Sequence, residues 1–388
     1  MNRKGIFLLL ALLLLSLACQ TIVRQPASTF EPADPPPAVS ATATATARAL
    51  LPSATSVSIP TDPLDQFEIS VLYFDHLITG LYHMYGKSLD NLVDIEIVNH
   101  GSSAAHLRVE NEVVGFSTPA VSSVSLAAGE SVTLHHNPTL RADAIDSLMN
   151  QRQASLDTRI TLVTAEEEIE LHHETVDILM YARRDFPAGV YPQRPFYSLV
   201  IYMSAWVTPN DPAIEELLRQ AADWHADGAI TAGYPNAYND DNLDVFHRLE
   251  AIWNAVAYDY QVKYLSTTVS FAPGAVQRIR LPGEVLEQRA GNCIELTMLL
   301  ASAAEAIDLE TNIILIPGHA FLGVRTAPES GAMYYIETTM VADATLREAV
   351  EVGNREYNTT KDHTAAEGYM RVNIPEARSI GIGPMPWR

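Results

Sequence analysis

The spacing of apolar and polar residues divides the chain into two folded regions. Between about residues 66 and 183 the apolar positions recur every second residue, which is typical of strands with one buried and one solvent-facing side. Turn-forming sequences separate these strands at 99–103, 127–131 and 164–168. We therefore predict an all-β domain over 66–183, an antiparallel sandwich of immunoglobulin-like shape. Its alternating positions include Val93, Ile95 and Ile97; Leu107 and Val109; Val132 and Leu134; Ile160 and Leu162; Ile169 and Leu171.

From residue 184 to residue 388 the spacing becomes helical in several segments. Asp211 followed by Pro212 is typical of a helix start, and a second helix is predicted from about residue 241, with Trp253 on its buried face. Thr345 and Glu348 have the spacing of a capping box and predict a later helix. Apolar strand-like runs lie between these helices, so the second region is predicted to be an α+β domain.

The stretch from Leu281 to Thr338 combines both kinds of pattern. It opens with a short predicted helix, LPGEVLEQR, followed by a tight turn at Gly291 and a helix cap at Asn292. A helix is predicted to begin at Cys293. The buried stripe predicted for this helix comprises Leu296, Thr297, Leu300, Ala303, Ala304 and Ile307.

Three strands are predicted after that helix. The segment TNIILIPG is predicted to form a buried strand, and HAFLGV is predicted to form a second strand that begins at His319. In the third strand, MYYIET, Glu337 falls on the same face as Met333 and Tyr335. If the faces carrying His319 and Glu337 lie toward the start of the Cys293 helix, the three side chains converge.

These three side chains suit nucleophilic catalysis. A cysteine in the first turn of a helix lies at the positive end of the helix dipole, which favours thiolate over thiol. His319 would pair with that thiolate and later protonate a leaving amine, and Glu337 would orient the imidazole. The free backbone N–H groups of the first turn could stabilise an oxyanion, and Gln288 is a candidate for a second oxyanion donor.

Residues 201–385 resemble the transglutaminase-like superfamily of papain-related thiol enzymes. The matching motifs are GNC at 291–293, GHAF at 318–321 and YIETT at 335–339. The resemblance implies a papain-like α+β core, a Cys293–His319–Glu337 triad and a mechanism that needs no metal or organic cofactor. The chain has Glu337 where that superfamily usually has aspartate, and HAF where HAW is commoner.

The amino terminus resembles a bacterial lipoprotein signal. Residues 1–19 contain a basic start, an unbroken apolar run and small residues directly before Cys19. The resemblance implies that Cys19 carries a lipid anchoring the protein to the cell membrane. Because Ser16 stands where the lipoprotein pattern prefers leucine, ordinary signal cleavage and secretion stay open as the alternative. Residues 20–65 are rich in Pro, Ala and Thr and are predicted to form a disordered stalk.

Charge and cysteine content narrow the range of partners. The formal net charge of −22 would repel a nucleic acid backbone, so we expect no nucleic acid partner. The two cysteines are Cys19 and Cys293, so export leaves Cys293 as the free thiol and provides no disulfide framework. The His135–His136 and His172–His173 pairs are interpreted as surface histidines, because neighbours on a strand face opposite ways and cannot readily bind one metal ion.

Together these patterns predict an exported thiol enzyme that acts on extracytoplasmic peptides or proteins. Cys293 would attack a carboxamide or peptide carbonyl, and water or an amine would resolve the thioester, giving a hydrolase or an acyltransferase. The alternative is a non-catalytic cell-surface protein that uses the same domain for binding or as a scaffold. The residues do not select between these classes or identify the substrate.

Overall fold

The computed structural model describes residues 63–192, 196–234, 243–272, 274–328 and 330–386. The predicted signal, Cys19 and the predicted stalk as far as residue 62 lie outside the described residues. All described residues belong to one compact unit. Within it the protein has a mixed α+β fold, with a β-rich first part and a second part of helices packed around a small sheet. None of the described helices is long and apolar enough to cross a bilayer.

Two sheets in the first part share one hydrophobic core. Their strands are β1 (Phe67–Tyr73), β2 (His76–Ile78), β3 (Val93–Asn99), β4 (Ala105–Val113), β5 (Ala120–Leu126), β6 (Ser131–His136), β7 (Arg152–Val163) and β8 (Glu168–Tyr181). One sheet has the order β1-β3-β6 and the other the order β2-β8-β7-β4-β5. A short helix, α1 (Ala142–Asp146), precedes β7.

The predicted alternation describes the central strands of these sheets well. The inward residues of β3 and β4 are completely buried, as the period of two requires. The arrangement differs from the predicted one at the sheet edge, where the three-residue strand β2 pairs in parallel with β8. Sequence alternation did not reveal β5 either, because its serines give a weak apolar signal and Leu126 is its one fully buried residue.

The histidine pairs divide between the two faces of their strands, as predicted. His135 is exposed and contacts Asp94, whereas His136 is buried and bonds Asn111 and Ser122. The prediction of surface histidines is therefore wrong for His136, which satisfies buried polar groups between the sheets. Among the described residues, neither pair belongs to a group of side chains arranged to hold a metal ion.

The second part is built around an antiparallel sheet with the strand order β17-β16-β15-β18. These strands are β15 (Thr311–Ile316), β16 (His319–Arg325), β17 (Met333–Ile336) and β18 (Met370–Asn373). Shorter paired strands connect them to the rest of the unit: β9 (Asp185–Pro187), β10 (Gly189–Val190), β11 (Tyr197–Ser198), β12 (Lys263–Tyr264), β13 (Val276–Arg278) and β14 (Ala290–Gly291). The helices are α2 (Pro212–Trp224), α3 (Leu243–Asn254), α4 (Pro282–Gln288), α5 (Cys293–Glu305), α6 (Leu346–Thr360) and α7 (Ile374–Ser379).

Helix α5 packs against β15 and β16 and lies at the centre of this part. The predicted stripe is buried, but so is every other residue from Cys293 to Ala304. A helix that is largely apolar around its whole circumference is buried by neighbouring elements on every side. The prediction of one buried stripe therefore missed the other buried faces of α5. Helix α6 packs against β17 and begins with the predicted Thr345–Glu348 capping box.

Candidate active site

Helix α5 begins at Cys293, with Asn292 as its cap. The Asn292 side chain accepts a hydrogen bond from the backbone N–H of Glu295 at 3.0 Å, and the Glu295 carboxylate accepts one from the backbone N–H of Asn292, also at 3.0 Å. This reciprocal capping box leaves the N–H groups of Cys293 and Ile294 in the first turn, where an α-helix offers no carbonyl partner. The helix start thus supplies donors beside the thiol.

The Glu295 carboxylate lies close to this helix start, and Arg280 balances its charge. Arg280 Nε and Nη2 donate to the two Glu295 oxygens at 2.8 and 2.6 Å, and the Arg280 backbone N–H adds a third bond. Hydrogen bonding to Glu295 raises the pKa of Arg280. The buried Glu295 carboxylate is therefore paired with the partly exposed Arg280, whereas an unpaired carboxylate here would disfavour a thiolate at Cys293.

The turn before the helix has a different origin from the one predicted. The left-handed residue is Arg289, with φ of 54°, whereas Gly291 lies in β14. A Cβ on Gly291 would lie 3.1 Å from Leu296 and 3.2 Å from Val285. Gly291 therefore permits close packing between α4 and α5, and Arg289 makes the turn.

Two buried threonine hydroxyls connect the three elements that carry Cys293, His319 and Glu337. Thr297 Oγ1 donates to the Cys293 carbonyl at 2.8 Å and lies 3.1 Å from Thr338 Oγ1. Longer bonds link Thr297 to the Ala320 carbonyl and Thr338 to the Cys293 carbonyl, each at 3.4 Å. Each candidate residue therefore has an adjacent backbone or side-chain group in one shared hydrogen-bond network.

His319 and Glu337 are in direct contact. His319 begins β16, and its Nε2 lies 2.6 Å from Glu337 Oε2. The other Glu337 oxygen accepts a 3.0 Å hydrogen bond from the Thr339 backbone N–H and a further bond from the Thr339 hydroxyl. Glu337 lies just beyond the end of β17, where it caps a short 3₁₀ turn at Thr338–Met340. A buried carboxylate with both oxygens bonded is well suited to fix an imidazole ring.

The charges of this pair reinforce each other. Burial alone lowers the pKa of His319, but hydrogen bonding with Cys293 and Glu337 and the nearby carboxylate of Glu356 outweigh it and raise the pKa to about 12. Burial alone raises the pKa of Glu337, and the bond to His319 outweighs it and lowers the pKa below its ordinary value. The structure therefore brings together the three predicted residues, with His319 between Cys293 and Glu337.

Glu356 is a fourth member of this group that the sequence patterns did not reveal. It lies on α6, and its Oε2 is 3.7 Å from His319 Nε2. This oxygen is buried and has no hydrogen-bond partner among the described residues. Glu356 follows Ala349 and Gly353 at helical spacing on the face of α6 toward the sheet. That spacing is the sequence signal that could have identified it.

His319, Glu337 and Glu356 are also close enough to be considered as metal ligands, since one donor atom from each lies within 4.8 Å of the others. Metal binding requires a neutral imidazole. In this structure the 2.6 Å contact between His319 Nε2 and Glu337 Oε2 has hydrogen-bond length. A metal ion bound by these atoms would have to replace that hydrogen bond.

Gln288 lies at the end of α4 and is exposed. Its side-chain oxygen accepts a hydrogen bond from Arg280 Nη1 at 2.7 Å. This contact joins Gln288 to the Arg280–Glu295 ion pair at the start of α5. Its role as an oxyanion donor stays a prediction.

Comparisons with known proteins add little to this geometry. Neither a family model nor a curated protein sequence matches the chain. Among solved structures, the chain is similar to a FixG-related protein from Vibrio parahaemolyticus, with 13% sequence identity over 30% of this chain and 97% of that one, and a TM-score of 0.20. A similarity of this size carries no argument about fold or function.

Proposed function

We propose that the protein is an exported thiol enzyme of the transglutaminase-like superfamily that acts on peptide or carboxamide bonds. The observation that carries the proposal is the contact of His319 with both Cys293 and Glu337 at the start of a buried helix. The proposed papain-like fold is supported by the order helix, strand, strand, and the proposed immunoglobulin-like domain by two sheets around one core.

In the proposed reaction the Cys293 sulfur attacks the carbonyl carbon and the substrate's C–N bond breaks. His319, whose Nε2 is held by Glu337, would use Nδ1 to give a proton to the leaving amine. Water or a second amine then attacks the thioester and loses a proton to His319, and the Cys293 thiolate leaves. The first-turn N–H groups of α5 would stabilise the oxyanion in both steps.

Export and membrane attachment through Cys19 belong to the same proposal. They rest on residues 1–65 of the sequence. The substrate would then be an extracytoplasmic peptide or protein. No cofactor and no nucleic acid partner is part of the proposal.

A non-catalytic binding or scaffold protein is the second candidate. The observation that favours it is the burial of Cys293, which is 2% exposed. A cysteine packed this closely is often inert. In that case the contacts of His319 would serve the stability of the domain.

Two assays run side by side test the proposal. One measures incorporation of a fluorescent primary amine into a glutamine-containing protein, and the other measures hydrolysis of a mixed peptide library, with Cys293→Ala as the blank in both. The proposal predicts product that depends on Cys293 in at least one assay and falls at least a hundredfold in His319→Ala. Equal signal from wild type and Cys293→Ala in both assays would favour the scaffold.

A further inference from the structure

A largely apolar cleft is lined in part by the residues that directly precede His319 in the chain. Its volume is about 520 Å³, within the range of about 300–1,000 Å³ that is typical of ligand pockets. Among the described residues, no charged side chain lines it. The lining includes Phe196, Val269, Phe271, Ile316, Pro317 and Met370.

Two walls of this cleft lead to the proposed catalytic residues. One wall consists of Ile316, Pro317 and Gly318, and the next residue in the chain is His319. Residues 269–272 also line the cleft, and they continue a segment bonded to the start of α5. In that segment the Leu265 N–H donates to the Gly291 carbonyl at 2.8 Å, and Thr267 accepts from the Asn292 side chain at 3.0 Å. The cleft is therefore lined by two chain segments, one of which leads directly to His319 and the other of which continues from residues bonded to the start of α5.

The rim of the cleft presents further apolar surface. Phe196 is 42% exposed and lies with its ring centroid 5.1 Å from that of Tyr191. The Phe196 ring lies directly over Gly189, where an added Cβ would come within 2.3 Å of it. Exposed aromatic rings beside an uncharged cavity are favourable contacts for an apolar group.

We infer that this cleft binds an apolar side chain of the substrate, so that the enzyme selects peptides with a large apolar residue next to the bond that it attacks. The inference rests on the proposed function, because it assigns the cleft to the substrate of that site. A lysine or glutamate side chain would lose hydration there without gaining a group of opposite charge, since the polar side chains of the lining are the hydroxyls of Ser198 and Ser270, and this opposes its binding. Burial of a leucine or phenylalanine side chain favours binding by tenfold or more.

Peptide binding to the full-length Cys293→Ala protein tests the cleft without relying on turnover. Blocked pentapeptides Gly-Gly-X-Gly-Gly, with X as Phe, Leu, Lys or Glu, are titrated by isothermal calorimetry, and the same peptides are offered to the wild type in a turnover assay. We expect Phe and Leu to bind at least tenfold more tightly than Lys and Glu. Equal affinity for all four peptides would overturn the inference.

A pair of alanine-to-lysine variants, one at the cleft and one away from it, tests the assignment of the cleft. Ala366 lines the cleft and is exposed, so that Ala366→Lys adds an ammonium group at the rim without disturbing the core. It should remove the tenfold preference for Phe and Leu, whereas Ala226→Lys, at an exposed alanine outside the lining, should keep it. An unchanged preference in Ala366→Lys would contradict the assignment.

The two assays separate failure of the cleft from failure of the proposed function. Selective binding without turnover of any peptide would refute the proposed chemistry and retain the cleft as a binding site for apolar side chains. Turnover by the wild type without any preference among the four peptides would retain the chemistry and refute the cleft.

Discussion

The hydroxyl of Thr297 offers a sharp test of how the site is held together. Thr297→Val keeps the shape of the side chain and removes the bonds to the Cys293 carbonyl at 2.8 Å and to Thr338 at 3.1 Å. A typical hydrogen bond contributes about 1 kcal/mol net, and the Thr338 hydroxyl keeps only the longer contact with the Cys293 carbonyl. We expect a loss of about 1–2 kcal/mol in the free energy of unfolding.

Thr311 provides the matched control on the neighbouring strand β15. It is 1% exposed, and its hydroxyl is buried without a hydrogen-bond partner among the described residues. Thr311→Val removes an unsatisfied polar group, so it should leave stability unchanged or raise it by about 1 kcal/mol. The two variants receive the same chemical change and should differ in unfolding free energy by about 1–3 kcal/mol.

Urea unfolding followed by tryptophan fluorescence measures both variants against the wild type. The expected result is a lower midpoint for Thr297→Val and an equal or higher one for Thr311→Val, at unchanged slope. Equal shifts for the two variants would refute the assignment of the network. Thr297→Val should also slow alkylation of Cys293, since the network connects the residues beside it.

Two further predictions concern the surroundings of His319. The pKa of His319 is raised from 6.5 to about 12, so the contribution of His319 to stability is complete below pH 6.5 and decreases as the pH rises toward 12. The pKa of Glu337 is lowered from 4.5, so the contribution of Glu337 is complete above pH 4.5 and decreases as the pH falls. The difference in unfolding free energy between wild type and His319→Gln should therefore be largest between pH 4.5 and 6.5, and a pH-independent difference would contradict the ion pair. A Cβ at Gly353 on α6 would come within 2.4 Å of the Tyr335 carbonyl. Gly353→Ala should therefore lower the free energy of unfolding by about 1–2 kcal/mol, although alanine has the better helix propensity. Gly331→Ala is the control, because a Cβ there would meet no atom within 4 Å and should leave stability unchanged. Thermal unfolding of the two glycine variants checks this.

The sequence patterns correctly predicted those features of the site that depend on residues close together in the chain. Asn292 as a cap, the helix start at Cys293 and the strand start at His319 are set by residues within one turn or one strand, and the structure has all three. Glu356 was not predicted as a site residue, because its contact with His319 depends on how α6 packs against β17. Gly353 permits that packing, but without the sheet beside it a glycine inside a helix indicates only a weak helix position.

The buried threonines escaped prediction for a similar reason. Thr297 was assigned to the buried face of α5, which is where it lies. Its partner Ala320 lies in β16 and its partner Thr338 in the 3₁₀ turn after β17, and periodicity within one helix carries no information about either. Contacts between segments that are distant in the sequence therefore could not be predicted from the periodicity of each segment alone.

The central claim is that His319 prepares Cys293 as a nucleophile, and the pH dependence of Cys293 alkylation tests it most directly. Wild type and His319→Ala react with iodoacetamide from pH 5 to 9, and peptide mapping by mass spectrometry separates Cys293 from Cys19. Burial of Cys293 lowers the absolute rate in both proteins, so the ratio of the two rates is compared at each pH. We predict that the wild type reacts at least tenfold faster than His319→Ala at pH 6, and that this ratio falls as the pH rises to 9. Equal rates for the two proteins at every pH would contradict the claim.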